Sequence, residues 1–401
     1  MNIAVAQSGG PTVAINASLI GVFEQALKSV EIDKVYGSLN GIEGIINQNL
    51  VVLNDLVKGE EDIELIKTTP STVLGSCRYK MPSPDDKPEV YEKIVDCFKK
   101  HNIGAFFYIG GNDSMDTTDK LSKYTMQNGI DVKVIGIPKT IDNDLCYTDH
   151  TPGFGSAAKY LATTMQEIVR DSAVYDLKSV TVVEIMGRHA GWLTASSGVL
   201  HANGETAPHL IYLPESEFSA EKFLNDVRSQ LEIRNSVIVA VSEGIKLDDA
   251  SYRSGKVDNF GHEYLSGIGK LLENLITEKI GCKVRSIELN VMQRCSSHLS
   301  SKTDIEEATL IGSEGVKAAL SGETGKMMTF ERVSNNPYKI EIGMVDAKLV
   351  ANAEKVFPCD WITDDGTNIT HEAIQYFLPL INGEINIKTK NGMPVHFIIK
   401  K

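Results

Sequence analysis

One order, repeated along the chain, limits its fold more than any other feature: a short apolar run, a polar cluster containing glycine, then helical periodicity. Ile3-Ala4-Val5-Ala6 is closed by Ser8-Gly9-Gly10-Pro11, after which Ile15, Leu19, Val22, Phe23, Ala26 and Leu27 recur at the spacing of a helix face. Ala105-Phe106-Phe107-Tyr108-Ile109 runs into Gly110-Gly111-Asn112-Asp113-Ser114 and a polar helical stretch near Met115 to Tyr124. Val132 to Ile137 leads into Pro138-Lys139-Thr140-Ile141-Asp142-Asn143-Asp144. Val180 to Ile185 leads into Met186-Gly187-Arg188-His189-Ala190-Gly191, and Val237 to Val241 into Ser242-Glu243-Gly244. Strand and helix alternate and hairpin signals are few, so the expected fold is α/β with parallel sheets and crossover helices. With 401 residues, two such sheets fit the length. Loops at the carboxyl ends of neighbouring parallel strands converge on one crevice, so the Gly110 and Pro138 loops are expected to be halves of one site.

The formal net charge of −13 argues against non-specific binding to nucleic acid or an anionic membrane, and requires any anionic ligand to be held by local donors. The six cysteines are scattered, with neither a C-x-x-C pair nor zinc spacing, and a reducing cytoplasm is the simplest setting. No apolar run approaches the roughly twenty residues that span a bilayer. Thr303-Asp304-Ile305-Glu306 reads as a capping box opening a helix whose Ala308, Ile311, Val316 and Leu320 face a core. Pro82 to Pro88 reads as an exposed loop and Ser321 to Gly325 as a turn.

Consecutive glycines after a strand let backbone N–H groups face a bound anion, and the helix that follows adds a favourable partial charge. Gly9-Gly10 and Gly110-Gly111 both have this form. An isolated Gly-Gly pair more often only makes a tight turn, but two copies beside carboxylates favour phosphate. No Walker sequence occurs, so a P-loop mechanism is disfavoured. Asp142 and Asp144 can divide deprotonation of a hydroxyl from organisation of a metal shell, with Thr140 supplying a hydroxyl; Asp-Asn-Asp is also a common solvated turn. Lys139 is placed to neutralise a transferring phosphoryl group, or is a surface lysine. Arg78, Arg188, Arg285 and Arg294 each lie by a strand end or glycine-containing turn, where a guanidinium can fork onto phosphate; an arginine taken alone is more often a solvated side chain.

Ser8-Gly9-Gly10, Leu74-Gly75-Ser76-Cys77-Arg78, Gly110 to Ser114, Pro138 to Asp144, Met186-Gly187-Arg188, Ser242-Glu243-Gly244 and Gln293-Arg294 occur in the order of a known family. Over most of its length the chain resembles the phosphofructokinases, and among them those that use inorganic pyrophosphate. The resemblance implies two Rossmann-like lobes, with mostly parallel sheets sandwiched by helices and the active site in the interlobe cleft. Residues 1–153 with about 293–343 would form the phosphoryl-donor lobe, and about 154–292 with 344–401 the sugar-phosphate lobe. It implies fructose 6-phosphate and pyrophosphate as substrates, Mg2+ as cofactor, and a homodimer or homotetramer. Asp142 would be the base toward the sugar 1-hydroxyl, while Asn112 and Asp144 stand at positions associated with the metal. Gly10, Gly111 and Ser114 would border the donor, and Arg78 would bridge donor and acceptor phosphates. Thr140, Met186, Gly187, Arg188, Glu243 and Arg294 would surround the sugar phosphate, with Arg285 reaching it from a neighbouring subunit.

ATP-using members of the family typically carry glycine where this chain has Asp113 and Lys139. An aspartate there would exclude the nucleotide α-phosphate by bulk and like charge, and the lysine would stabilise a leaving phosphate. The resemblance therefore implies reversible transfer from pyrophosphate in glycolysis and gluconeogenesis. An ATP-dependent 6-phosphofructokinase and a catalytically silent phosphate-sensing subunit share the fold as alternatives. The chain departs from the family at Asn112, where aspartate is frequent, at Val291, where histidine or tyrosine stands, and at Lys178-Ser179, which replace an expected arginine.

Overall fold

In the computed structural model, which describes residues 1–247 and 267–399, the five predicted apolar runs form strands of two larger sheets, which further strands complete. The expected second lobe spans 248–266, which lie outside the described residues. The first sheet contains β1 (Asn2–Gln7), β2 (Val35–Ser38), β3 (Leu50–Val52), β4 (Ile103–Gly110) and β5 (Lys133–Pro138). The second contains β6 (Ser179–Ile185), β7 (Leu210–Tyr212), β8 (Ser236–Ser242) and β9 (Lys283–Glu288). Two later strands, β10 (Lys326–Asn335) and β11 (Tyr338–Asp346), return to the first sheet, giving the order β11-β10-β5-β4-β1-β2-β3. The second sheet has the order β7-β8-β6-β9 and is parallel throughout.

Strand periodicity explains why both sheets are sandwiched. Along β4, Ala105, Phe107 and Ile109 enter one core cluster while Phe106 and Tyr108 enter the other, and β1 divides in the same way between Ile3, Val5 and Ala4, Ala6. In β8, Val237, Val239 and Val241 face one cluster, and Ile238 and Ala240 the opposite one. Strands apolar on both faces demand helices on both faces, as parallel sheets do. Each large aliphatic or aromatic side chain so buried contributes about 1.5–3 kcal/mol.

Helix α1 (Ile15–Lys28) follows β1, α2 (Asn112–Gln127) follows β4, and α3 (Phe154–Ser172) leads into the second sheet. Helix α4 (Lys302–Leu320) crosses α1 at a contact so close that a Cβ on Gly21 would lie 2.0 Å from the Thr309 carbonyl oxygen, and one on Gly312 would lie 2.2 Å from that of Ser18. Ala308, Ile311 and Val316 are buried as expected, and Leu320 packs against the cluster that holds Ile311 and Val316.

The capping box is not where the sequence reading put it. Ser301 caps α4, accepting from the Asp304 amide at 3.5 Å, and Thr303 lies inside the helix. Ser301-x-x-Asp304 offers the same spacing two residues earlier, and the Asp304 carboxylate is committed elsewhere. It accepts the Gly153 amide at 2.9 Å and the Ser156 amide at 3.0 Å, tying the start of α3 to α4. The sheet edges also depart from simple alternation: β10 and β11 are an antiparallel hairpin, and β3 pairs antiparallel to β2. The last described stretch crosses between cores. Leu380 and its neighbours pack with the second sheet, whereas Phe397 and Ile399 pack on the first and the Phe397 amide donates to Thr69 Oγ1 at 2.8 Å.

Candidate active site

Each glycine-bearing cluster leaves the carboxyl end of a parallel strand, and the loops are tied together by short bonds. The Gly9 amide donates to the Cys77 carbonyl at 3.1 Å, while Ser76 Oγ donates to the Gly9 carbonyl at 2.7 Å. The Leu74 to Arg78 segment is thus fixed beside Gly9-Gly10, with the Arg78 side chain exposed. The Lys139 amide donates to the Gly110 carbonyl at 3.0 Å, setting the two loops of β4 and β5 side by side as their parallel pairing requires.

Lys139 is buried, with only 2% of its surface exposed, and its Nζ donates to the Gly10 carbonyl at 2.5 Å. A Cβ on Gly9 would stand 3.5 Å from that Nζ, and one on Gly10 would stand 3.3 Å from Arg294 Nη1. The first is ordinary contact and the second is tight, so Gly10 leaves room for the Arg294 guanidinium, while Gly9 is favoured by its φ of 74°. Burial pulls the Lys139 ammonium down to about 8, against the fields of Asp142 and Asp144 that hold its proton and with Arg294 adding to the fall. The surface-lysine alternative is excluded.

Asp142 and Asp144 lie two residues apart in the next turn. Burial raises Asp142, Glu243 raises it further, and Lys139, Arg294 and a Thr140 hydrogen bond oppose the rise. Burial also raises Asp144, with the Asp142 charge adding to it. The Asp142 amide donates to Thr140 Oγ1 at 3.1 Å, and buried Asn143 takes a left-handed φ of 54° between the two carboxylates. The turn is not a solvated one.

The second sheet contributes the opposite wall. Ser242 Oγ donates to the Gly187 carbonyl at 2.5 Å, and the Gly187 amide faces Glu243 Oε1 at 3.5 Å. Gly187 has φ 132°, and a Cβ on Gly244 would lie 2.1 Å from the Arg188 carbonyl oxygen, so both positions need glycine. The Met186 amide donates to Gln293 Oε1 at 3.1 Å, which docks the segment carrying Arg294 against the Met186 loop. Gln293 is buried and went unmarked as a site residue; its place beside Arg294 in the sequence was the only available signal.

Helix α2 starts at Asn112, with Gly111 as its cap and exposed Asp113 in its first turn. Ser114 is buried against Gly110, whose Cβ would overlap it. Asn112 Oδ1 is buried without a hydrogen-bond donor, as a cation ligand would be before its ion arrives. Among the described residues no cluster of three or more His, Cys, Asp or Glu forms a closed metal cage. Magnesium does not need one, since it is ordinarily held by one or two protein oxygens together with substrate phosphates and water. Asn112 Oδ1 is one such oxygen by its chemistry.

Arg285 is not brought to this cluster within the chain. It lies on edge strand β9, in register with Thr181 near the start of β6, and its Nη1 is 3.3 Å from Asp171 Oδ2. Met186 follows the opposite end of β6. Val291 is 47% exposed, on the turn preceding Gln293.

The phosphofructokinase family model matches residues 2–319. The chain belongs to the phosphofructokinase family. Among its relatives, a pyrophosphate–fructose 6-phosphate 1-phosphotransferase of Halomonas elongata is 39% identical over 399 residues, covering 98% of this phosphofructokinase and 94% of the relative. That of Methylococcus capsulatus is 38% identical over 403 residues, with the same coverage. A crystal structure of a pyrophosphate-dependent phosphofructokinase from Nitrosospira multiformis superposes with a TM-score of 0.88 at 37% identity, covering 100% of this phosphofructokinase and 98% of that chain.

Proposed function

We propose that this chain moves a phosphoryl group from inorganic pyrophosphate to O1 of fructose 6-phosphate, giving fructose 1,6-bisphosphate and phosphate. The observation that carries the donor assignment is the buried Lys139 ammonium on the Gly10 carbonyl, with the Lys139 amide on the Gly110 carbonyl of the loop that leads to Asp113 in the first turn of α2. A cation held there meets a compact, highly charged donor, while a carboxylate at the mouth of the loop disfavours a nucleotide.

The chemistry is in-line displacement governed by positioning and charge. Asp142 takes the proton of the attacking hydroxyl; burial and Glu243 raise its basicity toward that task. Lys139 and Arg78 offset charge on the transferring group, and Gly10, Gly111 and Ser114 border the donor. Thr140, Met186, Gly187, Arg188, Glu243 and Arg294 hold the sugar phosphate. Asn112 and Asp144 would hold magnesium, which supplies neutralisation of pyrophosphate charge when bound. The anhydride consumed and the ester formed are close in energy, so the reaction runs in either direction, serving glycolysis or gluconeogenesis.

The donor lobe would comprise 1–153 with about 293–343 and the sugar lobe about 154–292 with 344–401, save that the end of β11 and the tail from about 385 pack back on the donor side. Arg285, on an outer strand and far from its own Met186 loop, suits a homodimer or homotetramer in which it completes a neighbour's site. Six free thiols suit a reducing cytoplasm.

The deciding experiment compares donors. Purified protein is assayed with fructose 6-phosphate and either pyrophosphate or ATP, alongside Asp113→Gly and Lys139→Gly variants. Pyrophosphate turnover that dominates in the parent and weakens in the variants is expected. Faster turnover with ATP overturns the donor assignment, and no turnover with either donor points to the silent-subunit alternative.

A further inference from the structure

Asp142 acts from a loop whose shape is held by neither of the two sheets alone. Behind it lies Lys355, which no part of the reaction described above employs. Its Nζ donates to the carbonyls of Asp149 at 2.8 Å and Thr148 at 3.1 Å, and to Asn143 Oδ1 at 3.4 Å. All three ammonium donors are therefore engaged by the segment that follows Asp142. The Lys355 amide donates to the Asp144 carbonyl at 2.7 Å, so main chain and side chain grip the same loop.

The other side of this segment belongs to the sugar wall. The Lys355 carbonyl accepts from Trp192 Nε1 at 2.9 Å, and Lys355 Nζ lies 4.8 Å from the Trp192 ring centroid. Two residues on, the Phe357 amide donates to Glu215 Oε1 at 2.8 Å, and the same oxygen accepts the Gly191 amide at 2.8 Å. Residues 355–357 thus bond the Asp142 loop on one side and the loop from Met186 to Trp192 on the other.

We propose that Lys355 is a positioning residue for phosphoryl transfer, and that residues 355–357 form a strap holding the Asp142 loop in register with the Met186–Trp192 loop. This rests on the reading of Asp142 as the base. Asn143 and Tyr147 have φ of 54° and 64°, conformations that an unsupported loop would tend to leave. A base displaced by about 1 Å from an attacking hydroxyl costs on the order of 100-fold in rate, whereas sugar-phosphate contacts on the other wall are largely spared.

The test uses the full chain with Lys355→Ala, Lys355→Met and Trp192→Phe. Lys355→Ala and Lys355→Met should lower kcat about 100-fold and leave KM for fructose 6-phosphate within about threefold. Ethylammonium should restore part of the turnover of Lys355→Ala, and amide exchange should accelerate across 143–149 but not in β4 or β5. Trp192→Phe, which removes one bond of the strap and keeps a ring in place, should lower kcat about fivefold. Turnover within about twofold of the parent in every variant, or losses that track the unfolded fraction by circular dichroism and ignore ethylammonium, overturn the proposal. Asp142→Asn is run alongside: if it alone retains turnover, the base assignment fails, while the exchange data still report whether Lys355 holds the loop.

Discussion

Lys139 places its ammonium 2.5 Å from the carbonyl oxygen of Gly10, joining the loops of β5 and β1 through a buried cation. The contact crosses more than a hundred residues of sequence and fixes a positive charge where the donor loops meet. Lys139→Met keeps the length of the side chain and removes the charge. It should depress kcat with pyrophosphate by about 100- to 1000-fold, the loss seen when one preorganised charge-stabilising donor is removed, with KM for the sugar phosphate nearly unchanged.

The same lysine sets an alkaline limit. The reaction needs the Asp142–Asp144 pair ionised at least once and Lys139 protonated. As pH rises, kcat/KM should climb through a limb well above the ordinary carboxyl value of about 4, because burial raises both carboxyls, with Glu243 adding to the rise at Asp142 and Asp142 to that at Asp144. It should then fall near the Lys139 value of about 8. In Lys139→Arg the alkaline limb should vanish, since a guanidinium keeps its proton; a limb that persists belongs to another group.

Asp142→Asn removes the base while preserving shape. Turnover should fall by about 100- to 10,000-fold, and calorimetry should find fructose 6-phosphate affinity largely intact. Near-normal turnover would take the base role away from Asp142.

Gly244→Ala should act on the sugar wall without touching a reacting atom. The added Cβ would meet the Arg188 carbonyl at 2.1 Å, and backbone cannot yield as a flexible side chain would. Overpacking of this kind costs about 1–3 kcal/mol, which should appear as a roughly 5- to 150-fold rise in KM for fructose 6-phosphate. An unchanged KM would show that the Gly187–Arg188 backbone does not set sugar affinity.

A buried ionic network behind the active site predicts how stability varies with pH. His150 Nδ1 and Nε2 lie 2.8 Å and 2.7 Å from Asp149 and Glu307, and the ring stacks on Phe330. Burial alone would lower the imidazole, but the Glu307 charge and the two carboxylate hydrogen bonds outweigh it and raise the value. A raised histidine contributes stability that is fully present below its unfolded value of about 6.5 and is lost as pH rises through the folded value. Melting temperature should therefore decline on the alkaline side by a few degrees, and His150→Gln should flatten that slope while lowering stability at pH 6. An unchanged slope in the variant would refute the assignment.

What the sequence determined by itself is local. Apolar runs such as Ala105 to Ile109, followed at once by Gly110-Gly111, specify a strand end and an anion-sized turn within a few residues, and five such units specify an α/β fold. The ordered motifs from Ser8 to Arg294 went further and identified the family, because each loop carries its chemistry on neighbouring residues. Helix capping was legible in kind but not in register: Ser301 and Thr303 begin identical patterns, and only Asp304's engagement with Gly153 and Ser156 chooses between them. Edge strand β9 was missed because its alternation of exposed and half-buried residues lacks an apolar run.

Tertiary structure alone decided what surrounds those loops. In sequence Lys139 is either a phosphate-neutralising or a surface lysine, and the convergence of β1, β4 and β5, which removes it from water, chooses the first environment. Arg285 carries the same motif-level signal as Arg294, yet register with Thr181 sends it to the outside of the second sheet, away from Met186. Lys355 had no pattern to betray it and Gln293 only its place beside Arg294, since the groups they hold lie more than a hundred residues away. Burial and hydrogen-bond partners are properties of positions brought together by folding, and a linear pattern records them only when the partners are also neighbours in the chain.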